Sequence, residues 1–408
     1  MTKLDELIQE LCPDGVKYLP IPELFITRNG YTPSKANNEF WENGTIPWFR
    51  MEDIRENGRI LTTATQYVSE KAVKGKLFPA DSIIIATSAT IGEHALIKVP
   101  SLANQRFTYL TLKDEFKDCV DMMFVFYYCF RLDEYCKSHL NQGNFASVDM
   151  KQFAAFKFPV PPLPVQREIV RILDNFTELT AELTAELTAR KQQYAYYRDK
   201  LLNRPHDSTK IITIGELGSW SGGKTPSMDN SDYWENGTTP WITSKDMKVS
   251  TLEDTEDHIT EKAISEASMT VYPPNGVAVV TRSGILKHTL PVAFVPFATT
   301  VNQDIKMLVA GKGVLPRYAF HAIQGKSPDI LAKAKKQGGT VDSLEFKKFL
   351  DYEIPLPSLE VQKRLVEVLD NFDTLCTDLS SGLPAEIEAR QKQYEYYRDK
   401  LLSFEEKI

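Results

Sequence analysis

Gly218-Ser219-Trp220-Ser221-Gly222-Gly223-Lys224-Thr225 has the spacing G-x-x-x-x-G-K-S/T of a loop that cradles phosphate. Such a loop works only when a helix starts directly behind it and aims its N–H groups at the phosphate. Here Pro226 follows at once, with Ser227-Met228-Asp229-Asn230 beyond. No helix is expected there, and nucleotide binding is rejected. The six histidines, His94, His139, His206, His258, His288 and His321, show no metal-ligand spacing, and no H-E-x-x-H pattern exists. The acidic run Glu253 to Asp257 reads as a solvated loop. No Ser/His/Asp or nucleophile-elbow pattern is present, and Tyr272-Pro273-Pro274-Asn275 has the order of an adenine-methylase motif reversed. The sequence therefore predicts a binder, with no catalytic residues and no metal of its own.

Composition narrows the class. The 408 residues exceed one ordinary core, and 42% hydrophobic with 25% charged residues is a globular balance. The longest apolar run, Met122 to Phe130, is too short to span a bilayer. No amino-terminal signal pattern is visible, and five scattered cysteines without a C-x-x-C pair suggest reduced thiols in the cytoplasm. A net charge of −7 argues against coating nucleic acid by bulk electrostatics, but leaves room for local basic loops.

The elements that must position any binding residues are written twice. Leu163 to Leu202 is an uninterrupted helical pattern containing VQ, LDNF and YYRDKLL, and Leu359 to Leu402 repeats those blocks. Phe40-Trp41-Glu42-Asn43-Gly44-Thr45-Ile46-Pro47-Trp48 is echoed by Tyr233 to Trp241, Asn104-Gln105 by Asn302-Gln303, and Ser147 to Phe153 by Ser343 to Phe349. Between the helical blocks run short β-like segments, among them Ser82 to Ala86, Ala95 to Val99 and Phe107 to Leu112, with a helix over roughly Lys117 to Leu140. Ser147 is the expected N-cap of a short helix through Phe153. Proline-rich bridges, Phe158 to Pro164 and Ile354 to Pro357, lead into the helices.

The resulting plan is α+β: an N-terminal helix (1–12), a mixed α/β globule (13–158), a central helical region (159–204), a second globule (205–354) and a C-terminal helical region (355–408). Apolar residues at Ile169, Ile172, Leu173, Phe176, Leu179, Leu183 and Leu187, and at Leu365, Val368, Leu369, Phe372 and Leu375, make narrow seams suited to an antiparallel coiled coil. At about 1.5 Å per residue such a strut would reach about 60 Å. Two Thr-Ala-Glu-Leu repeats, Thr180 to Leu187, read as a ruler, whereas Gly382 and Pro384 predict a break in the second helix. The bands Gln192, Tyr194, Tyr196, Tyr197, Arg198 and Gln391, Tyr394, Tyr396, Tyr397, Arg398 suit a partner interface.

The doubled Pro-x-Pro bridge, VQ, LDNF and YYRDKLL, the Thr-Ala-Glu-Leu iteration and the doubled W-E-N-G-T-x-P-W opening resemble the specificity (S) subunit of Type I restriction-modification systems. The likeness covers essentially the whole chain. It implies that each globule is a target recognition domain reading one half of a bipartite, asymmetric double-stranded DNA site. The helices would set the spacer and dock two modification (M) subunits. Those subunits would carry S-adenosylmethionine and methylate adenine at N6, and restriction (R) subunits would add ATP- and Mg-dependent cleavage; this chain would bring no cofactor. Two other readings stay open: the specificity chain of a Type IIB-like methyltransferase-nuclease, and a protein scaffold unrelated to DNA.

A reader of bases needs loops with Arg, Lys, Asn, Gln, Ser and Thr. The candidates are Lys35, Arg50, Thr87, Ser88, Thr90, Gln105, Arg106, Asn141, Gln142 and Asn144 in the first globule. In the second they are Lys224, Thr225, Lys245, Thr281, Arg282, Ser283, Lys287, Gln303, Lys335, Lys336 and Gln337. Arg282 is the preferred base contact. Asn104 and Asn302 are expected to be structural, and Trp48 and Trp241 to pack in the core.

Overall fold

The computed structural model describes residues 2–141, 146–203, 209–336, 341–377 and 382–407, the side chains of 376 and 377 excepted. Two compact units result: residues 1–182 with 388–408, and residues 183–387. The first therefore draws on both ends of the chain.

In unit 1 the strands Phe25–Asn29, Phe107–Leu112, Ser82–Ala86, His94–Ile97 and Ile60–Leu61 form one sheet in that order, antiparallel until the last, parallel pair. A second sheet places Ile46–Phe49 between Tyr67–Val68 and Leu102–Ala103. Unit 2 repeats both: Gly218–Gly222, Ile305–Ala310, Gly276–Val280 and Val292–Val295 in one sheet, and Thr239–Ile242 between Asp257–Ile259 and Thr300–Val301 in the other. Each proline-rich bridge is half of a two-stranded ribbon, Lys157–Pro159 with Tyr18–Pro20 and Glu353–Leu356 with Lys210–Thr213. The central strands Ser82–Ala86 and Gly276–Val280 are buried on both faces, which explains their unbroken apolar runs.

The repeated W-E-N-G-T-x-P-W stretch has a structural cause. Asn43 and Asn236 take left-handed φ of 52° and 59°, which Asn tolerates better than most residues. The glycine after each lies so close to a neighbouring strand that a Cβ would come within 2.6 Å of Tyr67 backbone or 2.5 Å of His258 backbone. Trp48 and Trp241 are buried as expected, each in an edge-on ring contact with Trp41 or Trp234 at 5.1 and 5.0 Å.

One buried-face helix lies in each unit, Met122–Ser138 and Pro316–Ala334. Asp149, not Ser147, caps the short helix Met150–Ala155, its carboxylate accepting from the N–H groups of Lys151 and Gln152. Ser147 instead bridges to Ser88. The first long helix runs Leu163–Asn203; the second stretch comprises Leu359–Thr377 and Leu383–Leu401, with Pro384 in the first turn of the latter. Residue 204, the expected end of the central helical region, and residues 378–381 beside the expected break lie outside the described residues.

In unit 1 the start of the long helix buries Val165, Ile169 and Leu173 in one core with Leu402. In unit 2 its end buries Tyr194 and Leu202 with Leu365 and Leu369. The beginning of each helical stretch thus lies beside the end of the other, as an antiparallel pair requires. Leu179, Val368 and Leu375, expected in the seams, are instead exposed, whereas Ile169, Leu173, Leu365 and Leu369 are buried. Cys12, Cys119, Cys129 and Cys136 are free thiols. Among the described residues no helix is long and apolar enough to cross a membrane.

Candidate nucleic-acid interface

In unit 1, Thr32, Lys35, Trp48, Arg50, Met51, Glu52, Asn104, Gln105 and Arg106 line one surface cleft of about 280 Å³. It collects four of the candidates from distant parts of the chain. Its floor is rigid: the Trp48 indole N–H donates to the Tyr31 carbonyl at 2.9 Å, and Asn104 Oδ1 accepts from the Arg106 N–H at 3.0 Å. Gly30 lets its strand end approach residues 103 and 104, where a Cβ would sit 2.2 Å from a carbonyl oxygen. The Thr32 hydroxyl donates to Gln105 Oε1. Asp53 holds the turn, accepting from the N–H groups of Arg50 at 2.7 Å and Thr65 at 2.6 Å.

Unit 2 builds the same floor. The Trp241 indole donates to the Lys224 carbonyl at 3.0 Å, Asn302 accepts from the Asp304 N–H at 3.0 Å, and the Thr225 hydroxyl donates to Gln303 at 2.6 Å. Asp246 plays the part of Asp53, accepting from the N–H groups of Thr243 at 2.7 Å and Glu256 at 2.8 Å. Gly223 is the counterpart of Gly30; a Cβ there would meet the Val301 carbonyl oxygen at 1.7 Å. The glycine of the apparent phosphate loop therefore serves a close backbone approach, and the described residues directly after it form no helix. Lys224, Thr225, Lys245 and Gln303 are exposed.

A second group of candidates gathers where the central strand of each sheet ends. In unit 1 Thr87, Ser88 and Thr90 are half-buried, and Asn141 donates to Ser147 Oγ and the Val148 carbonyl. In unit 2 Arg282 and Lys287 are exposed, Ser283 caps a short 3-10 turn, Lys335 pairs with Asp342 at 3.1 Å, and Lys336 is exposed. Thr281 departs from expectation: it is buried, its hydroxyl donating to the Asp304 carbonyl at 3.0 Å. Thr87 makes the matching contact with the Arg106 carbonyl at 3.4 Å. These two threonines tie the loop beside the cleft to the sheet. Gln142, Asn144 and Gln337 lie outside the described residues.

The family model for the Type I restriction modification DNA specificity domain matches residues 13–190 and 207–389. The chain belongs to this family. It is 42% identical over 396 residues to the specificity subunit of the Escherichia coli Type I restriction enzyme EcoprrI, covering 93% of each chain. To the EcoR124I/EcoR124II specificity subunit of the same organism it is 44% identical over 274 residues, covering 65% of this chain and 68% of that one. A solved chain from work on complex assembly and conformational transition of the type I R-M system shares the fold, with a TM-score of 0.66 at 16% identity over 96% of this chain and 98% of that one. This is a DNA specificity component of a restriction-modification system rather than a catalytic one.

The helices of this specificity subunit carry two pairs of positioning residues, in the repeated VQ and LDNF blocks, that were not among the candidate site residues. Gln166 is fully buried; its amide accepts from the Asp121 N–H at 2.8 Å and donates to the carbonyls of Cys119 at 2.8 Å and Pro161 at 2.6 Å. Gln362 does the same with Leu315, Gly313 and Pro357 at 2.9, 3.0 and 2.8 Å. The aspartate of LDNF is the second pair. Asp174 accepts from the Tyr127 hydroxyl at 2.5 Å, whereas Asp370 is held by His321 at 2.6 Å and Arg317 at 2.7 Å. Burial pushes the Tyr127 phenol well up, and also lowers the pKa of His321 despite the nearby Asp370. Asp370 lies below the usual carboxylate range: burial opposes its ionisation, but the hydrogen bonds from His321 and Arg317 outweigh it. A buried glutamine inside an apolar seam, written twice, was the available signal.

The expected partner bands divide by face. Tyr194 is a core residue, beside His321 and Phe372, with its phenol pushed up to about 12 by burial. Its expected contact with a partner does not match that burial. Tyr394 is half-buried, Arg198 donates to Gln324 at 2.8 Å, and Arg398 lies 4.5 Å over the Phe130 ring. Gln192, Tyr196, Tyr197, Gln391, Tyr396 and Tyr397 remain exposed, the tyrosines of each pair meeting edge-on at 5.3 and 5.4 Å.

Proposed function

We propose that each unit reads one half of a bipartite, asymmetric sequence in double-stranded DNA, while the paired helices fix the gap between half-sites and dock two modification subunits. The observation that carries this reading is one hydrogen-bonded floor built twice, with different exposed side chains around it: Lys35, Arg50 and Arg106 line the cleft above it in one copy, and Lys224 and Lys245 stand beside it in the other. A common floor with different donors suits two related but distinct sequences. It also reconciles local cationic clefts with a net charge of −7.

The outward tyrosine and glutamine bands supply a repeated, amphipathic docking surface for the two modification subunits. Those subunits bring S-adenosylmethionine and transfer its methyl group to adenine N6. Restriction subunits add ATP- and Mg-dependent cleavage, all in the cytoplasm with the chromosome. Co-expression with the modification subunit, followed by sequencing of methylated adenines across a host genome, tests the assignment. A two-part motif with a fixed gap is expected; methylation independent of this chain would overturn it.

A further inference from the structure

The two floors agree in the residues that hold them, and the side chains around them differ in charge at several matched positions. Asp53 and Asp246 are the same fastening, but Arg50 faces Thr243, Glu52 faces Lys245 and Arg106 faces Asp304 in the correspondence. We propose that Arg50 and Glu52 form a donor–acceptor pair that reads a single G·C base pair through the major groove. This rests on unit 1 being a DNA reader.

The chemistry follows from what a G·C edge displays: two acceptors on guanine, N7 and O6, and one amino donor on cytosine N4. A guanidinium next to a carboxylate is the complement of that edge. The Arg50 Nε and Glu52 Oε2 lie 3.9 Å apart, beyond hydrogen-bond length, so neither group satisfies the other. Arg50 Nη2 donates to the Thr65 hydroxyl at 3.2 Å, and its guanidinium lies 5.8 Å from the centre of the buried Trp48 ring. Its Nε is buried and, among the described residues, has no hydrogen-bond partner, so the guanidinium must turn outward from Thr65 to present its fork to a base. The Glu52 carboxylate is more than half exposed in the same cleft. In unit 2 the Thr243 hydroxyl is taken up by Asp246 at 3.0 Å, and an exposed lysine stands where Glu52 does. Those residues cannot present the same pair.

The test uses the chain with its modification subunit and maps methylated sites for the natural protein, Arg50→Ala and Glu52→Gln. Both substitutions should admit other bases at one and the same G·C position of one half-site, raising methylation there by about tenfold or more relative to the natural chain. Loss at all sites with an unchanged motif would assign both groups to phosphates and overturn the pairing. Relaxation at two different positions, or at an A·T pair, would overturn it as well. If thermal unfolding shows that Arg50→Ala does not fold, Arg50→Lys carries the same expectation, since it keeps the charge and loses the planar fork. If the natural chain itself directs no site-specific methylation, the proposed function fails instead.

Discussion

Gln166 and Gln362, both fully buried, each bond three backbone groups, the Pro161 and Pro357 carbonyls in buried contacts and the others in partly buried ones. Replacing either by alanine leaves an N–H and two carbonyls without partners, and buried unsatisfied groups cost about 1 to 3 kcal/mol each. Gln166→Ala and Gln362→Ala should each lower stability by about 3 kcal/mol in denaturant unfolding; an effect under about 0.5 kcal/mol would mean that the site relaxes. Arg282 presents a different case, because its side chain is exposed. Arg282→Ala should relax one half-site by about 1 to 3 kcal/mol in competitive binding to variant duplexes, while a uniform loss would identify a phosphate contact. Asn104, Asn302, Trp48 and Trp241 could be assigned from sequence, because residues kept in both copies at turns and strand starts are those the backbone needs. Thr281 and Tyr194 could not. A hydroxyl at a strand end and a ring in an amphipathic band are equally suited to a ligand and to a neighbour, and only packing decides.

At the scale of elements, the duplication made the sheets, bridges and helices readable, and Ser82–Ala86 and Phe107–Leu112 have the bounds their apolar runs imply. The cleft of unit 1 was not readable, since it is assembled from three segments distant in sequence. The long helix yields two expectations. Deleting Thr184 to Leu187 removes about 6 Å of helix, against a base-pair rise of about 3.4 Å. Methylated-site mapping should therefore show a shorter gap with both half-sites unchanged. Tyr196 and Tyr396 are 60% and 63% exposed, so replacing both by alanine should leave the fold intact. Copurification of the modification subunit should nevertheless fall by about tenfold or more. Undiminished copurification would place the docking surface elsewhere.

Over the whole molecule the two units share a plan but not a fastening. His321 has its pKa lowered from 6.5, so the folded form stays neutral where the unfolded chain takes up a proton. Its contribution is fully present above about pH 6.5 and is lost as pH falls below that value. Asp370, also lowered from 3.8, adds a further loss at lower pH. Around His321 stand Arg317, Asp370, Asp373 and Tyr194, whereas the matching position in unit 1 is Tyr127, which does not titrate in this range. On going from about pH 7.5 to about pH 5.5, amide protection relative to the intrinsic exchange rate should fall more in Pro316–Ala334 than in Met122–Ser138. His321→Gln should remove the difference.

Unit 1 includes residues 388–408, which follow unit 2 in the chain, and a backbone bridge joins Val16 to Glu406. On the ribosome, where amino-terminal domains ordinarily finish first, the order is reversed here. The second-made unit has all its parts in hand while the first-made one still waits for its closing segment. A nascent chain arrested by a late stop codon would accordingly lose the earlier reader, not the later one.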